Sequence, residues 1–317
     1  MWGCCMLSRT RAFAVATLAL ALALAVAPRP AWAMQSCVPE VREAPDIAII
    51  EYDPFLAGAT VRELVFKVSK GEGGENSEGG EGGCAVDLAV LGPGDVPARF
   101  FAVGGARVEI RPTEDDGALP QTDRPGVYRL VLPPGETMRT TLDAVVVRDA
   151  VLDAGDHEAD VRFEFYEPGT VRPVGARWLT SVILRSLPRA QLNITGAAGS
   201  FGTGQTVSVV DFGEAETGAR RRVFLQVRAN TLSRLTISSE NEGLLRHADR
   251  PDEAAPIAYA VSLDGEPLDL TQAVFQDRDP PRTLEGRSLP LDIELGEIAG
   301  AMAGRYEDVL TVEFSPL

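Results

Sequence analysis

One β pattern is written twice in this chain, and no feature limits the possible folds more. Tyr52-Asp53-Pro54-Phe55 leads through Gly58-Ala59-Thr60 into the alternating run Val61 to Val68. Val210-Asp211-Phe212-Gly213 leads through Thr217-Gly218-Ala219 into Arg222 to Val227. The endings agree more closely: Gly155, Glu158, Val161, Phe163, Glu164 and Phe165 recur at the same offsets as Gly304, Glu307, Leu310, Val312, Glu313 and Phe314. A repeat of this length implies two copies of one β module.

Period-2 alternation with Pro and Gly at the junctions predicts strands over 47–52, 61–69, 85–91, 106–111, 126–132, 137–147 and 159–166, with a further one at 178–184. The second copy predicts strands over 205–211, 221–228, 233–239, 257–263, 289–295 and 308–314, with acidic, Pro-rich loops at 247–256 and 277–282. No segment keeps a helical period for long. The fold class expected is all-β, two tandem immunoglobulin-like β-sandwich modules. Their boundary is placed in 185–199, where Pro188, Asn193, Gly196 and Gly199 interrupt the alternation. Domains are therefore expected at 34–188 and 191–317.

Arg9 and Arg11 precede an apolar stretch from Phe13 to Val26 and a small-x-small site at Ala31-Trp32-Ala33. This reads as a signal peptide over 1–33, with a mature protein beginning near Met34 and exported into the periplasm of a bacterium. Loss of the leader takes the formal charge from −16 to −19, since three Arg and no acid leave with it. Such a surface repels nucleic acid and anionic lipid. Cys4 and Cys5 also leave, so Cys37 and Cys84 remain, and in an oxidising compartment they most simply form one disulfide. Gly71 to Gly83, acidic and Gly-rich, is expected to be a mobile loop.

A catalytic centre needs a nucleophile with a base, a tuned carboxylate pair or a metal cluster. His157 and His247 lie in different modules, in a pre-strand turn and an acidic loop, and read as solvated surface residues. Asp115-Asp116, the group Asp153, Asp156 and Asp160, and Asp277 with Asp279 read as solvated loop acids, and no soft ligand accompanies the cysteines. The glycines of 199–204 lead into no helix, so they make no phosphate loop. No enzyme, metal site or cofactor is expected. Phe100 and Phe101, beside Gly104-Gly105, are the candidate surface-binding pair; the alternative places one in the core and one at its boundary. Trp178 is read as core.

Cys37, Tyr52-Asp53-Pro54 and Cys84-Ala85-Val86-Asp87-Leu88, together with Gly304-Arg305-Tyr306-Glu307-Asp308 before Val309-Leu310-Thr311-Val312, resemble the spore coat protein U-like domain, the subunit family of archaic chaperone–usher fimbriae. The first module has His157 in place of Tyr306, and the second lacks both cysteines. The resemblance implies an incomplete sandwich in the second module, completed by donor-strand pairing along a groove bordered by Leu310, Val312 and Phe314. It implies as partners a periplasmic pilus chaperone, an outer-membrane usher, the donor strand of the next subunit and a receptor or surface, with a fimbrial, cell-surface location. Cys37 follows the expected start at Met34 by three residues, which leaves no donor segment and places the subunit at the fibre tip as an adhesin. A structural or minor pilin and a free-standing binding protein are the alternatives. A two-domain assembly chaperone would instead need a basic cleft, and a hydrolase would need working carboxylates.

Overall fold

In the computed structural model the residues described are 37–71, 83–92, 94–113, 119–202 and 204–317. The expected leader, most of the acidic Gly-rich insertion and Asp115-Asp116 lie outside them.

The N-terminal half contains β1 (Pro39–Glu43), β2 (Ile47–Tyr52), β3 (Thr60–Lys70), β4 (Cys84–Leu91), β5 (Phe100–Val103), β6 (Ala106–Pro112), β7 (Val127–Leu132), β8 (Thr137–Val146), β9 (Gly155–Tyr166) and β10 (Trp178–Ser186). They form two five-stranded sheets, β1-β3-β8-β6-β5 and β2-β10-β9-β4-β7. Alternation decides which faces meet: Ala48, Ile50 and Tyr52 of β2, with Val182 and Leu184 of β10, join Leu64, Phe66, Leu142 and Ala144 of the opposite sheet in one core. Every β4 residue is buried, because Ala89 and Leu91 on its outer side are covered by Val127 and Tyr166. Asp87, also outward, is bound in bidentate fashion by Arg129 and accepts the Gly169 amide at 2.7 Å.

In this core Phe163 stacks on Trp178, with centroids 5.2 Å apart, and Phe66 and Phe165 close round them at 5.1 Å from Phe163 and Trp178 respectively. Trp178 is half-buried and packs against this core. Cys37 and Cys84 form a disulfide with Cα atoms 5.7 Å apart, which fastens the chain ahead of β1 to the start of β4.

Tyr128 donates to the Ile110 carbonyl at 2.6 Å, and burial pushes its phenol up to about 12. A raised folded-state value means that the neutral phenol contributes fully below the unfolded value of about 10 and that the contribution is lost as pH rises through the folded one. Phenolate absorbance is therefore expected to show delayed ionisation, and chemical denaturation a loss of stability between about pH 10 and 12, which Tyr128→Phe should reduce in part, since Tyr52, Tyr166 and Tyr259 are also raised.

The C-terminal half contains β11 (Ala190–Thr195), β12 (Arg220–Ala229), β13 (Ser233–Ser239), β14 (Leu244–His247), β15 (Ile257–Leu263), β16 (Glu266–Leu268), β17 (Val274–Arg278), β18 (Arg287–Leu295), β19 (Tyr306–Glu307) and β20 (Leu310–Pro316). One sheet runs β11-β12-β18-β15-β14-β19, with β16 beside β15; the other has three strands, β17-β13-β20. Leu225, Val227, Leu235, Ile237, Leu263 and Leu291 fill a second core between them. The structure is thus all-β in both halves, each a pair of sheets over its own core.

The repeat extends to hydrogen-bond register. Leu88 opposite Phe165 and Val90 opposite Phe163, in β4 and β9, recur as Leu235 opposite Phe314 and Ile237 opposite Val312, in β13 and β20. The β1–β3–β8 ladder likewise recurs as β11–β12–β18.

Several expectations are corrected. β1, β5, β11, β14, β16, β17 and β19 are additional strands. Each is short or at a sheet margin, where pairing with a distant neighbour outweighs weak local alternation. β11 lies inside the stretch assigned to the boundary, and β17 reaches into a segment read as loop. The strand expected over 205–211 does not form: only Gln205 bridges, to Ile194. By the match of Val210-Asp211 to Tyr52-Asp53 it is the counterpart of β2, which owes its ladder to β10. Among the described residues 205–210 has no such neighbour. His247 is 5% exposed at the end of β14, its Nδ1 accepting the amides of Asp249 and Arg250 at 3.2 Å, so it is not a solvated loop residue. His157 lies within β9, its ring against Gly104.

Candidate functional site: the outer edge of the last strand

Leu310, Val312 and Phe314 alternate on the inward face of β20, and all three are half-buried against the second core. β13 pairs along one side of β20; along the other no strand lies among the described residues. β11 is the end strand of the facing sheet and lies against β20, and its Leu192 and Ile194 are half-buried against the same core. Both sheets therefore end at one corner, bordered by a row of five partly covered apolar side chains. Unpaired strand N–H and C=O groups beside an apolar row make a template for an added strand.

The first module shows the same corner closed. β9, the counterpart of β20, has β4 on one side and β10 on the other. β10 runs antiparallel to β9, with Trp178 opposite Phe163, Thr180 opposite Val161, Val182 opposite Ala159 and Leu184 opposite His157. Its inward residues Thr180, Val182 and Leu184 are fully buried. On its far side β10 carries β2 in parallel.

β20 also differs from β9 at its start. β9 runs unbroken from Gly155, whereas Tyr306 and Glu307 turn away as β19 to pair with β14. Gly304 permits that departure, since a Cβ there would lie 2.1 Å from His247 Nε2. The break is held by Asp308, whose carboxylate accepts from Ser239 Oγ (2.6 Å), the Asn241 amide (3.0 Å), Asn241 Nδ2 (3.0 Å) and Tyr259 OH (2.5 Å). Burial first, and this bond second, hold the Tyr259 phenol well above its ordinary value. Nothing in the local pattern around Asp308 reveals this anchoring, because its four donors come from three residues remote in the chain.

The candidate surface pair divides. Phe101 is 9% exposed and belongs to the first core, whereas Phe100 is 41% exposed, with the Arg99 and Arg107 guanidiniums each 5.6 Å from its ring centroid. Among the described residues no hydrogen bond joins His157 or His247 to a nucleophilic side chain. Among the described residues no three His, Cys, Asp or Glu side chains converge as a metal site.

No family model and no curated protein matches the chain. Solved structures similar to it include the CsuC–CsuE chaperone–tip adhesion subunit pre-assembly complex from archaic chaperone–usher Csu pili of Acinetobacter baumannii, at 11% identity and a TM-score of 0.48, covering 87% of this chain and 99% of that one. CfaE, the adhesive subunit of CFA/I fimbria of enterotoxigenic Escherichia coli, is similar at 11% identity and a TM-score of 0.34, covering 86% of this chain and 93% of that one. The CupB6 tip adhesin from Pseudomonas aeruginosa is similar at 13% identity and a TM-score of 0.34, covering 89% of this chain and 92% of that one.

Proposed function

We propose that this protein is an exported fimbrial subunit that accepts a donor strand along β20 and attaches to a surface through its N-terminal module, without catalysis. The observation that carries the reading is the internal comparison: β9 is covered by β10, and its counterpart β20 is bare on the same side among the described residues. On this reading residues 34–188 are the adhesin domain and 191–317 the pilin-like domain, following a signal peptide at 1–33. A periplasmic chaperone fills the corner first and the donor strand of the next subunit later, with an outer-membrane usher between. We place the subunit at the fibre tip, since the expected mature start at Met34 lies only three residues ahead of Cys37, which the disulfide ties to the start of β4. Phe100 is the member of the aromatic pair available to a receptor.

A synthetic peptide with the inward alternation of β10, mixed with the mature chain, tests the reading. A 1:1 complex by size-exclusion chromatography is expected, with a gain of about 3 kcal/mol at a hundredfold excess over Kd. Val312→Asp places a charge in the apolar row and should abolish binding. A mature chain that is a stable monomer indifferent to the peptide would overturn the proposal and favour a free-standing binding protein.

A further inference from the structure

Tandem modules joined by a short connection ordinarily move relative to one another unless their interface is extensive. Here only Leu187, Pro188 and Arg189 separate β10 from β11, and each is constrained. The Leu187 amide donates to the Tyr52 carbonyl at 2.9 Å, and Pro188 has a ring-fixed φ. The Arg189 guanidinium pairs with Asp53 at 2.5 Å.

Asn230, just past β12, lies at the centre of the junction and is 0% exposed. Its Oδ1 accepts the Arg189 amide at 2.7 Å, and its Nδ2 donates to Ser186 Oγ at 3.0 Å and to the Leu187 carbonyl at 2.9 Å. Its own amide donates to the Arg189 carbonyl at 3.1 Å, and its carbonyl accepts the Ala154 amide at 2.9 Å. One buried side chain and its peptide groups thus bind the first module, the connection and the second module together with every polar group satisfied. Opening the junction would strand those groups.

A second lock lies nearby. The Arg228 guanidinium sits between two rings, 4.5 Å from the Phe55 centroid and 4.0 Å from that of Phe201, and donates to Gln191 and to the Leu284 carbonyl. Phe55 comes from the first module and the other partners from the second. The Phe55 carbonyl is held in turn by Arg148 at 3.3 Å. A cation enclosed by two aromatic faces is worth more than an exposed one. Arg282 adds an exposed ion pair to Asp153 at 2.5 Å, a small contribution by comparison.

We infer that the two modules behave as one rigid body, locked at Asn230 and at the Phe55–Arg228–Phe201 stack, so that a load applied to one module reaches the other without a hinge. The inference is independent of the strand-accepting role of β20.

Spin labels on Leu179→Cys in β10 and Phe275→Cys in β17, both exposed strand positions, report the distance between modules in the mature chain. A single narrow distance distribution is expected. Asn230→Ala should broaden it, Phe55→Ala, which leaves the Asn230 bonds in place, should broaden it to a smaller extent, and the double variant should make it roughly twice as wide as the flexible default is restored. Far-UV circular dichroism verifies that each variant retains its strands. A parent distribution already as wide as that of the variants, or a folded Phe55→Ala protein as narrow as the parent, would overturn the inference.

Discussion

Phe163→Ala is expected to cost about 3–5 kcal/mol, the range for truncating a fully buried aromatic. Phe163 is 0% exposed and stacks face to face on Trp178 while also touching Phe66, so its removal opens a cavity beside both rings. β9 cannot close that gap by shifting, because it is hydrogen-bonded to β4 on one side and β10 on the other. Against a total stability of roughly 5–15 kcal/mol the loss is large. Chemical denaturation of the parent and variant should give a lower midpoint with an unchanged slope, and a change under about 1 kcal/mol would mean that the aromatic cluster does not hold this core.

Cys37→Ser with Cys84→Ser is the second large effect, expected at about 3–4 kcal/mol from the loop-closure entropy of the cross-linked chain. The bridge spans a sequence separation of 47 residues and is the tie between the segment ahead of β1 and the sandwich. Among the described residues β1 pairs only with β3, so without the bridge it has that single ladder to hold it. The double variant should therefore unfold at lower denaturant and lose amide-exchange protection first in β1. Protection in β1 equal to that of the parent would show that the β3 ladder suffices alone.

The residues that define strand faces are legible in the sequence alone. Val161, Phe163 and Phe165 share a face by alternation, and so do Leu310, Val312 and Phe314, because a side-chain period of two is a local property of extended backbone. Cys37 and Cys84 are legible as a pair because the expected compartment is oxidising and no other cysteine remains beyond the leader. The division of Phe100 from Phe101 is legible only as one of two alternatives, since the choice depends on which sheet lies behind β5. His247 is not legible as a buried residue: the amides of Asp249 and Arg250 that satisfy its ring lie in a turn whose path follows from β14 pairing with β15 and β19. The joint is not legible at all, because Asn230, Arg189 and Phe55 are far apart in the chain and none carries a pattern that announces a partner.

What the sequence by itself determined is the unit and its duplication: short amphipathic strands, punctuated by Gly and Pro, in two copies whose inward faces are apolar. These follow from alternation and turn chemistry, which act over a few residues. Which strand lies beside which was decided by the tertiary structure alone. The stretch Ile47–Tyr52 and its counterpart 205–210 both alternate, yet the first is a strand beside β10 and the second is not a strand. A strand is completed by hydrogen bonds to a neighbour remote in sequence, and its own side-chain pattern specifies a face to bury without specifying the neighbour. The bare edge of β20, the covered edge of β9 and the locked junction between the modules all have that non-local origin.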